Sequence, residues 1–567
     1  MYILGLWDGH DSGAALIKDD KIIYAANEER FTKRKLEINF PYNAIKAALA
    51  FEKLAPSEIK TIAFPTLELT KTISRVFPGQ KEFYYKFRRR KMKKPVFENL
   101  MHYQKYAMTS IGPLPLCESI SKYEIRKKLK SMGFVDFNLY AIDHHEAHAA
   151  TAAFTSGLKK GVVITLDGVG DGKSGSVSTL ENGEIKKEKT ISAHNSIGIF
   201  YEQITNILGM RELEDEGKIM AMADFSYPFA FKDNKLRSLF TVEGTEIKAK
   251  YGPITQYRVL NSLAWSTPRE QLAYMSQQLL EEIMVSFFKN LKKELEFESI
   301  AASGGTMSNV KANMRIREET GIKDFYIFPH MGDGGIALGA AMQANYLING
   351  VTNYVFDNAY LGNFYSDDII KKTIKKYKQL EFEEDNDKSG HAAELISKDN
   401  YLFWFQGRME YGPRALGNRS IIAKAGSEKV KDKLNLYVKK REWFQPFAPS
   451  MLEEESTRML ENTNGRYNKF MTMAYRVKKE FANQMKSVVH VDMTARPQMV
   501  GNENENYKSL LKKLKKIEGY GVVLNTSLNI HGMPIAMEPE DVIKAAIDTK
   551  TRYLFLGGYF VENKNHL

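Results

Sequence analysis

Residues 1–27 read MYILGLWDGHDSGAALIKDDKIIYAAN, and this stretch decides the predicted fold. An apolar run ends at Asp8-Gly9, a second run follows, and the acidic turn Asp19-Asp20 separates the second run from a third. Short apolar runs bounded by Asp and Gly predict a strand, a turn and a β-hairpin. The small and acidic residues of the first turn allow close approach to a phosphate group or its metal ion.

The same pattern returns at residues 161–190, GVVITLDGVGDGKSGSVSTLENGEIKKEKT. A repeated strand-turn-hairpin predicts an internal duplication with two related subdomains. The arrangement resembles the superfamily of sugar kinases, heat-shock ATPases and actin, whose members bind ATP between two such halves. Later segments, ESIAASGGTMSNV and FYIFPHMGDGGIALG, predict strands that lead through Gly-rich turns into helices, a typical phosphate or ribose site.

Length and composition limit the class of protein. A chain of 567 residues predicts two to four domains, and 43% hydrophobic residues fit a packed globular protein. We place a domain boundary near residue 355, in a polar stretch, and predict a mixed α/β fold with domains at 1–355 and 356–567. The net charge of +12 favours anionic partners without choosing among them.

Cysteine content and hydropathy bear on the compartment. Cys117 is the single cysteine, which excludes an intramolecular disulfide and a cysteine-based zinc site and fits a reducing cytosol. No uninterrupted apolar run has the length of a membrane span, and the first residues lack the basic region of a signal peptide. We therefore expect a cytoplasmic protein without a membrane partner.

The segment DHHEAHAA, Asp143 to Ala150, predicts a helix with a metal site. His144 and His148 are four residues apart and share a helical face, whereas Asp143 suits the N-cap. Asp167 and Asp333 follow predicted strands and complete a set of nitrogen and oxygen ligands that fits iron, manganese or zinc. The alternative is a capped helix with ordinary histidines, and His145 is expected in a core or solvent position.

The segment GRMEYGPRALGNRS, Gly407 to Ser420, predicts a pocket for a small anion. Arginine pairs bind oxyanions through paired hydrogen bonds, and the Gly and Pro turns would hold them rigidly. Later segments add Lys439, Arg441, Arg496 and Asn525. The alternative is a basic surface spread over loops, which explains the charge but not the Gly and Pro residues around it.

A basic and aromatic run, FYYKFRRRKMKKP, occupies residues 83–95. Such a run can contact nucleic acid. A solvated helix face, or an insertion near an anionic substrate, is the more common structure for this composition.

Several motifs together resemble one family, the carbamoyltransferases that act on nodulation factors, cephalosporin intermediates and aminoglycosides such as tobramycin. The resemblance runs nearly end to end and includes HDSGAAL, EERFTKRK, DHHEAHAA, TLDGVGDG, SGGTMSNVKAN, EYGPRALGNRS and REWFQPFAPS. It implies an N-terminal half similar to enzymes that attach threonylcarbamoyl to tRNA. The C-terminal half would be YrdC-like, similar to the protein that makes threonylcarbamoyl-adenylate.

The resemblance implies a reaction in two stages. Carbamoyl phosphate would lose phosphate in the C-terminal pocket, and the carbamate would attack the α-phosphate of ATP to give carbamoyl-adenylate and pyrophosphate. The adenylate would then pass to the N-terminal site, where a hydroxyl of a sugar or natural product would take the carbamoyl group and release AMP. A monomer or homodimer that uses ATP, iron(II) or another divalent metal, and Mg²⁺ with ATP is expected.

The resemblance also assigns roles to residues. His10 and Asp11 match the first turn, where the histidine orients or deprotonates the acceptor hydroxyl, and Lys35 matches a lysine near the reacting centre. The implied ATP and carbamoyl-adenylate contacts are Asp167, Gly168, Gly304, Gly305, Asn309, Asn313 and Gly334. The implied carbamoyl phosphate contacts are Arg414, Lys439, Arg441, Arg496 and Asn525. The implied metal ligands are His144, His148, Asp167 and Asp333.

Departures from the family leave the acceptor open. Relatives often carry His where this chain has Leu36, and Asp-Ser where it has Asp333-Gly334. A tRNA-modifying enzyme of the threonylcarbamoyl type is the alternative. The fused C-terminal half and the lack of a separate RNA-binding module argue against that alternative and against a nucleic-acid partner.

Overall fold

The computed structural model describes residues 1–92 and 98–566 and has a mixed α/β fold, as predicted. The chain forms two compact units. The first contains Met1–Glu28 and Glu37–Phe356, and the second contains Glu29–Leu36 and Asp357–Leu567. The segment Glu29–Leu36, with the short helix α1 (Glu29–Thr32), therefore differs from the predicted range 1–355 by belonging to the second unit.

The first unit contains two five-stranded sheets. The strands of the first sheet are β1 (Tyr2–Trp7), β2 (Gly13–Lys18), β3 (Lys21–Asn27), β4 (Thr61–Pro65) and β5 (Asn138–Ile142). Their order is β3-β2-β1-β4-β5. The hairpin β1-β2-β3 is antiparallel, whereas β4 and β5 continue the sheet in parallel from β1.

The second sheet repeats this topology. Its strands are β6 (Lys160–Gly170), β7 (Lys173–Glu181), β8 (Glu184–Ser192), β11 (Ser299–Ser303) and β12 (Asp324–Ile327), and a separate hairpin contains β9 (Phe240–Glu243) and β10 (Glu246–Ala249). The order β8-β7-β6-β11-β12 has the same pattern of antiparallel and parallel pairs as the first sheet. The predicted duplication is therefore confirmed.

The two sheets differ in the number of helices that connect their last two strands. Between β4 and β5 lie α3 to α6, whereas only α12 lies between β11 and β12. The helices of the unit are α2 (Tyr42–Phe51), α3 (Leu69–Val76), α4 (Pro78–Arg88), α5 (Glu98–Thr109), α6 (Cys117–Ser131), α7 (His144–Thr155), α8 (Ile197–Ile207), α9 (Glu216–Met222), α10 (Pro253–Ala264), α11 (Arg269–Leu295), α12 (Val310–Thr320) and α13 (Ile336–Asn349).

Two glycines allow α13 to pack closely between β1 and α7. A Cβ atom at Gly5 would lie 1.9 Å from the carbonyl oxygen of Ala337, and one at Gly339 would lie 1.9 Å from that of Ala147. These distances are far below van der Waals contact, so both positions require a residue without a side chain. The sequence GDGGIALGAA thereby brings the start of α13 and the start of α7 to the same edge.

The second unit is built on an eight-stranded mixed sheet with the order β13-β22-β21-β14-β15-β20-β16-β19. Its apolar core includes Trp404, Leu511 and Val523. The strands of the eight-stranded sheet are β13 (Leu380–Glu384), β14 (Leu402–Phe405), β15 (Arg419–Lys424), β16 (Ala448–Leu452), β19 (Gln498–Val500), β20 (Val522–Ser527), β21 (Tyr553–Leu556) and β22 (Tyr559–Asn563). A separate two-stranded sheet contains β17 (Tyr475–Arg476) and β18 (Thr494–Ala495). The later helices of the unit are α14 (Asp367–Ile374), α15 (Lys388–Ser397), α16 (Glu428–Lys433), α17 (Glu453–Met459), α18 (Glu505–Glu518) and α19 (Pro539–Asp548).

Within residues 1–92 and 98–566, no helix combines the length and apolar character needed to cross a membrane.

Replacing Gly339 by alanine should destabilise the first unit. The added methyl group would meet the Ala147 carbonyl, and overpacking of this kind costs about 1–3 kcal/mol. Scanning calorimetry should therefore show a lower unfolding temperature for Gly339→Ala. Gly79→Ala is the control, because a Cβ at Gly79 in α4 meets no atom within 4 Å. Equal unfolding temperatures for both variants would contradict the proposed tight contact.

Candidate functional site

Helix α7 carries the two predicted metal-binding histidines. The Asp143 carboxylate accepts hydrogen bonds from the backbone N–H groups of His145 and Glu146, which confirms the predicted N-cap. His144 and His148 are both buried on one face of the helix. His145 is also buried, but its ring contacts the Thr165 hydroxyl at 2.8 Å and the Lys173 carbonyl at 3.1 Å, so it has a core position.

The structure brings the four predicted metal ligands together. His144 Nε2 lies 3.2 Å from Asp167 Oδ2 and 3.6 Å from Asp333 Oδ1, and His148 Nε2 lies 3.5 Å from that same Asp333 atom. One ligand atom from each of the four residues lies within 4.8 Å of the others. Two imidazoles and two carboxylates form a set that suits iron, manganese or zinc.

Hydrogen bonds behind the histidines orient both rings. His144 Nδ1 contacts the Thr66 hydroxyl at 2.9 Å, and His148 Nδ1 contacts the Ser303 hydroxyl at 3.1 Å. Each Nε2 atom is thereby directed toward the carboxylates, and His148 Nε2 is buried without a hydrogen-bond partner in the described part of the chain. Such outer contacts fix the orientation of metal-ligating histidines, so these residues fit a divalent metal ion.

The histidines and aspartates of the cluster shift one another's pKa values. Burial favours neutral imidazole, but the Asp333 and Asp167 carboxylates outweigh it and raise the pKa of His144 to about 10. Despite its own burial, Asp167 has a pKa well below the ordinary value, because His144 donates a hydrogen bond to it and His148 lies nearby. A buried cluster of this kind attracts a cation.

His10 lies at the open side of the cluster. Its Nε2 atom is 3.3 Å from Asp333 Oδ2, and its side chain is 34% exposed, whereas those of His144 and His148 are 1% exposed. The Trp7 indole N–H donates to the His10 carbonyl at 2.8 Å and so fixes the turn. Burial lowers the pKa of His10, and the positive charges of Arg88 and Lys71 act in the same direction.

Asp11 and Gly334 lie against each other near this turn. Asp11 has a φ of 59°, in the left-handed region, and a Cβ atom at Gly334 would lie 2.2 Å from its carboxylate. The Asp333-Gly334 pair, where relatives often have Asp-Ser, therefore leaves room for Asp11. The two turns that were predicted from separate halves of the sequence are in contact.

The predicted nucleotide-side residues divide into two groups. Gly305 donates its N–H to Asp167 Oδ1 at 2.7 Å, and Gly304 has a φ of 102° that favours glycine. Gly168 accepts a hydrogen bond from Ser196 at the end of β6. By contrast, Asn309 caps α12, and Asn313 donates to the Met307 carbonyl, so these two amides shape the loop.

Asp171 has a structural role that was not predicted from the sequence. Its carboxylate accepts from the backbone N–H groups of Leu67 and Glu68 through Oδ1 and from that of His144 through Oδ2. It therefore fixes the start of α7 and the loop that carries Thr66. Its place in the quoted motif TLDGVGDG was the available signal.

The second unit contains a cluster of arginines. Burial, together with the positive charges of Arg414 and Arg441, holds the pKa of Arg496 well below its ordinary value. Burial alone lowers the pKa of Arg414 to about 10. Among the described residues neither Arg414 nor Arg496 forms an ion pair, so the cluster is electrostatically prepared for an anion.

Lys439 and Asn525 lie in the same unit with many internal contacts. The Lys439 ammonium group donates to the Ser527 carbonyl and to the Asn529 carbonyl and side-chain oxygens. The Asn525 amide donates to the Ala415 carbonyl, the Ser450 hydroxyl and Gln498. Both side chains therefore also hold β20 against the arginine-bearing loops.

Arg419 has a different environment from Arg414. It is fully buried, and its guanidinium group donates to the backbone carbonyls of Gln406, Gly407 and Asn363. Glu410, also missed, accepts from the backbone N–H groups of Leu416, Asn418 and Arg419 and thereby shapes the loop around Arg414. Arg419 is committed to the backbone, which leaves Arg414 as the candidate ligand.

Lys35 lies in the second unit, since Glu29–Leu36 belongs to it. Its positive charge is one of the groups that lower the pKa of Lys439, after burial and Arg441. The resemblance places Lys35 near the reacting centre, and that role stays a prediction. Within the second unit, Lys35 belongs to the cationic region around Lys439.

The basic run at residues 83–95 is only partly described, since residues 93–95 lie outside the described residues. Its earlier part is not simply a solvated face. Arg88 pairs with Glu202 at 2.6 Å and with Glu212 at 2.9 Å, and Arg89 pairs with Glu214. These buried pairs attach the end of α4 to the rest of the first unit.

Comparison with known proteins identifies the class. The family model for the carbamoyltransferase N-terminus matches residues 2–342, and the model for the carbamoyltransferase C-terminus matches residues 393–563. The chain therefore belongs to the carbamoyltransferase family and is an enzyme.

Similar proteins include both named and unnamed relatives. An uncharacterised protein of Methanocaldococcus jannaschii is 36% identical over 78% of this chain and 76% of its own length. Nodulation protein NolNO of Sinorhizobium fredii is 28% identical over 98% of this chain and 79% of its own length. The 3'-hydroxymethylcephem-O-carbamoyltransferase of Streptomyces clavuligerus is 29% identical over 59% of this chain and 62% of its own length.

Among solved structures, full-length HypF in the phosphate- and nucleotide-bound form is 13% identical, with a TM-score of 0.32 over 62% of this chain and 56% of that one. Component A of (R)-2-hydroxyglutaryl-CoA dehydratase from Acidaminococcus fermentans is 13% identical, with a TM-score of 0.35 over 60% of this chain and 96% of that one.

Removing one histidine of the cluster should remove the metal. We expect purified His148→Ala to hold about one tenth or less of the metal bound by the unmodified protein, because the remaining groups cannot close the site. Mass spectrometry of the elements measures iron, manganese and zinc together. His194→Ala, which changes an exposed histidine of the same unit, should keep its metal. Equal metal in His148→Ala and the unmodified protein would refute the site.

Proposed function

We propose that this enzyme is an ATP-dependent O-carbamoyltransferase that makes carbamoyl-adenylate and transfers the carbamoyl group to a hydroxyl of a sugar or natural product. The observation that carries the proposal is the pairing of two different sites in one chain. In the second unit Arg414 and Arg496 form no ion pair with any described residue, and the first unit holds a buried set of two histidines and two aspartates beside His10.

The arginine cluster supports the activation stage in the second unit. Arg414, Arg441 and Arg496 would bind carbamoyl phosphate, whose charge would relieve their mutual repulsion. Attack of water on the phosphorus atom would release inorganic phosphate and carbamate. A carbamate oxygen would then attack the α-phosphate of ATP and release pyrophosphate. Lys35 and Lys439 would add positive charge for the anionic groups in this region.

The cluster around His10 supports the transfer stage in the first unit. The hydroxyl attacks the carbamoyl carbon, the carbamate ester forms, and AMP leaves. His10 is the exposed histidine of the cluster, so it is placed to orient the hydroxyl and accept its proton. Asp11 and the turn Gly304-Gly305 would position the adenylate.

A divalent metal ion held by His144, His148, Asp167 and Asp333 would neutralise phosphate charge during transfer. Iron(II) is our first choice because the family resemblance implies it, and manganese or zinc would fit the same four ligands. Thr66 and Ser303 would keep the histidine rings in place.

Two substitutions should separate the two stages. Arg496→Ala should reduce pyrophosphate release from ATP and carbamoyl phosphate by about 100-fold or more, because the anion loses an arginine whose positive charge it would neutralise. His10→Ala should retain pyrophosphate release but reduce carbamoyl transfer to a panel of sugars by about 100-fold or more, the usual effect of losing a general base. Radiolabelled carbamoyl phosphate follows the transferred group.

Arg476→Ala is the control, since Arg476 is exposed in the same unit as Arg496. Equal loss of both stages in both substituted proteins would refute the division of labour. Pyrophosphate release that requires added tRNA would instead indicate an enzyme of the threonylcarbamoyl type.

A further inference from the structure

Three basic side chains surround Asp8, which follows β1 and is fully buried. The Arg75 guanidinium group donates to the Asp8 carboxylate. Arg75 Nε lies 3.3 Å from Asp8 Oδ1 and 3.2 Å from Oδ2, and Arg75 Nη2 lies 3.0 Å from Oδ1. Lys71 Nζ lies 3.4 Å from Asp8 Oδ1, and Lys81 donates to the backbone carbonyl of Asp8. The aspartate charge is therefore already balanced by Arg75, and the partner of Lys81 is neutral.

Glu68, the second acidic residue near these lysines, does not fully compensate their positive charge. Glu68 lies within electrostatic range of Lys71, but burial raises the pKa of Glu68 to about 7 and its carboxylate accepts from Thr70 and from the Asp171 backbone. Burial lowers the pKa of Lys71 to about 8, and burial together with the charge of Lys71 holds the pKa of Lys81 well below its ordinary value. Three cations at this place would therefore exceed the negative charge that Asp8 and Glu68 supply. Since unpaired buried charge is costly, this surplus favours an anionic ligand.

Trp7 contacts both Lys71 and His10. Lys71 Nζ lies 4.2 Å from the centre of the Trp7 ring, and the His10 ring lies 6.4 Å from that ring in an edge arrangement. The Trp7 indole also holds the His10 carbonyl. A ligand bound to Lys71 would therefore lie within one small molecule's length of His10.

The lysines come from a segment that the second half of the duplicated fold does not share. Lys71 lies on α3 and Lys81 on α4, within residues 66–137 between β4 and β5. The equivalent connection between β11 and β12 covers residues 304–323 and contains Gly304, Gly305 and α12. The shared frame thus supplies the nucleotide-side turn, whereas the added segment supplies the surplus charge.

We propose that the acceptor carries an anionic group, a carboxylate or a phosphate or sulfate ester, which binds Lys71 and Lys81 while its hydroxyl lies at His10. This inference rests on the proposed transfer reaction and specifies its substrate class. The same charges could attract a nucleotide phosphate. The acceptor is favoured because the four-ligand cluster would already serve the nucleotide phosphate in the proposed transfer and because the lysines lie outside the duplicated frame.

Direct binding tests this substrate class without knowledge of the natural acceptor. Isothermal titration of the full-length protein should detect D-glucuronate, D-galacturonate or glucose 6-phosphate, and glucose and galactose should bind at least about tenfold more weakly. Lys71→Met, which keeps the stem over Trp7, and Lys81→Met should each weaken binding of the acid by about tenfold or more. Lys71→Arg should retain it.

Lys86→Met is the matched control, because Lys86 lies on the same helix as Lys81 and is 53% exposed. Unfolding temperatures should establish that all variants fold. Weakened AMP binding with unchanged acid binding would assign the lysines to the nucleotide and overturn the proposal. No acid binding by the unmodified protein, or equal binding of acids and neutral sugars, would also overturn it.

Pyrophosphate release by the unmodified protein is measured in parallel. If pyrophosphate release is absent while acids bind through Lys71 and Lys81, the proposed reaction fails but the anion site stands. If pyrophosphate release is present and the acids do not bind, the reaction stands and the inference about the acceptor fails.

Discussion

The close packing of α13 between β1 and α7 is the constraint on which the first unit depends. Gly5 and Gly339 lack the side-chain atoms that would separate these backbones. A Cβ atom at either position would lie 1.9 Å from a backbone carbonyl oxygen of the neighbouring element. Because Asp333 lies in the short turn that leads into α13 and His144 begins α7, this contact sets the separation of carboxylate and imidazole. The chemistry of the site thus depends on backbone approach at some distance from any ligand.

The second unit uses a different principle. Among the described residues Arg414 and Arg496 form no ion pair, while the Glu410 carboxylate accepts from backbone N–H groups and shapes the loop around Arg414. Arg419 is equally buried but donates to carbonyls, so burial alone does not distinguish a ligand-binding arginine from a structural one. The distinction lies in where the N–H groups of each guanidinium point.

The duplicated fold and the shared helical face of His144 and His148 could be predicted because both follow from local patterns. Strand and turn patterns repeat at residues 1–27 and 161–190, and the spacing of His144 and His148 fixes a helical face. The roles of Asp171, Glu410 and Arg419 could not be predicted, since they depend on which backbone groups lie opposite each side chain. The assignment of Lys35 to the second unit also depends on long-range packing, which no local sequence pattern encodes.

The eight-residue segment Glu29–Leu36 limits how the protein can be divided. Phe31 packs against an apolar cluster of Met409, Ile535 and Met537, and Arg30 donates to the Gly412 carbonyl at 2.8 Å. A recombinant fragment that begins after residue 356 would lack both side chains and expose that cluster to solvent. Expression of the two halves as separate polypeptides would therefore produce an incomplete C-terminal fragment, which would need residues 29–36 to be supplied with it.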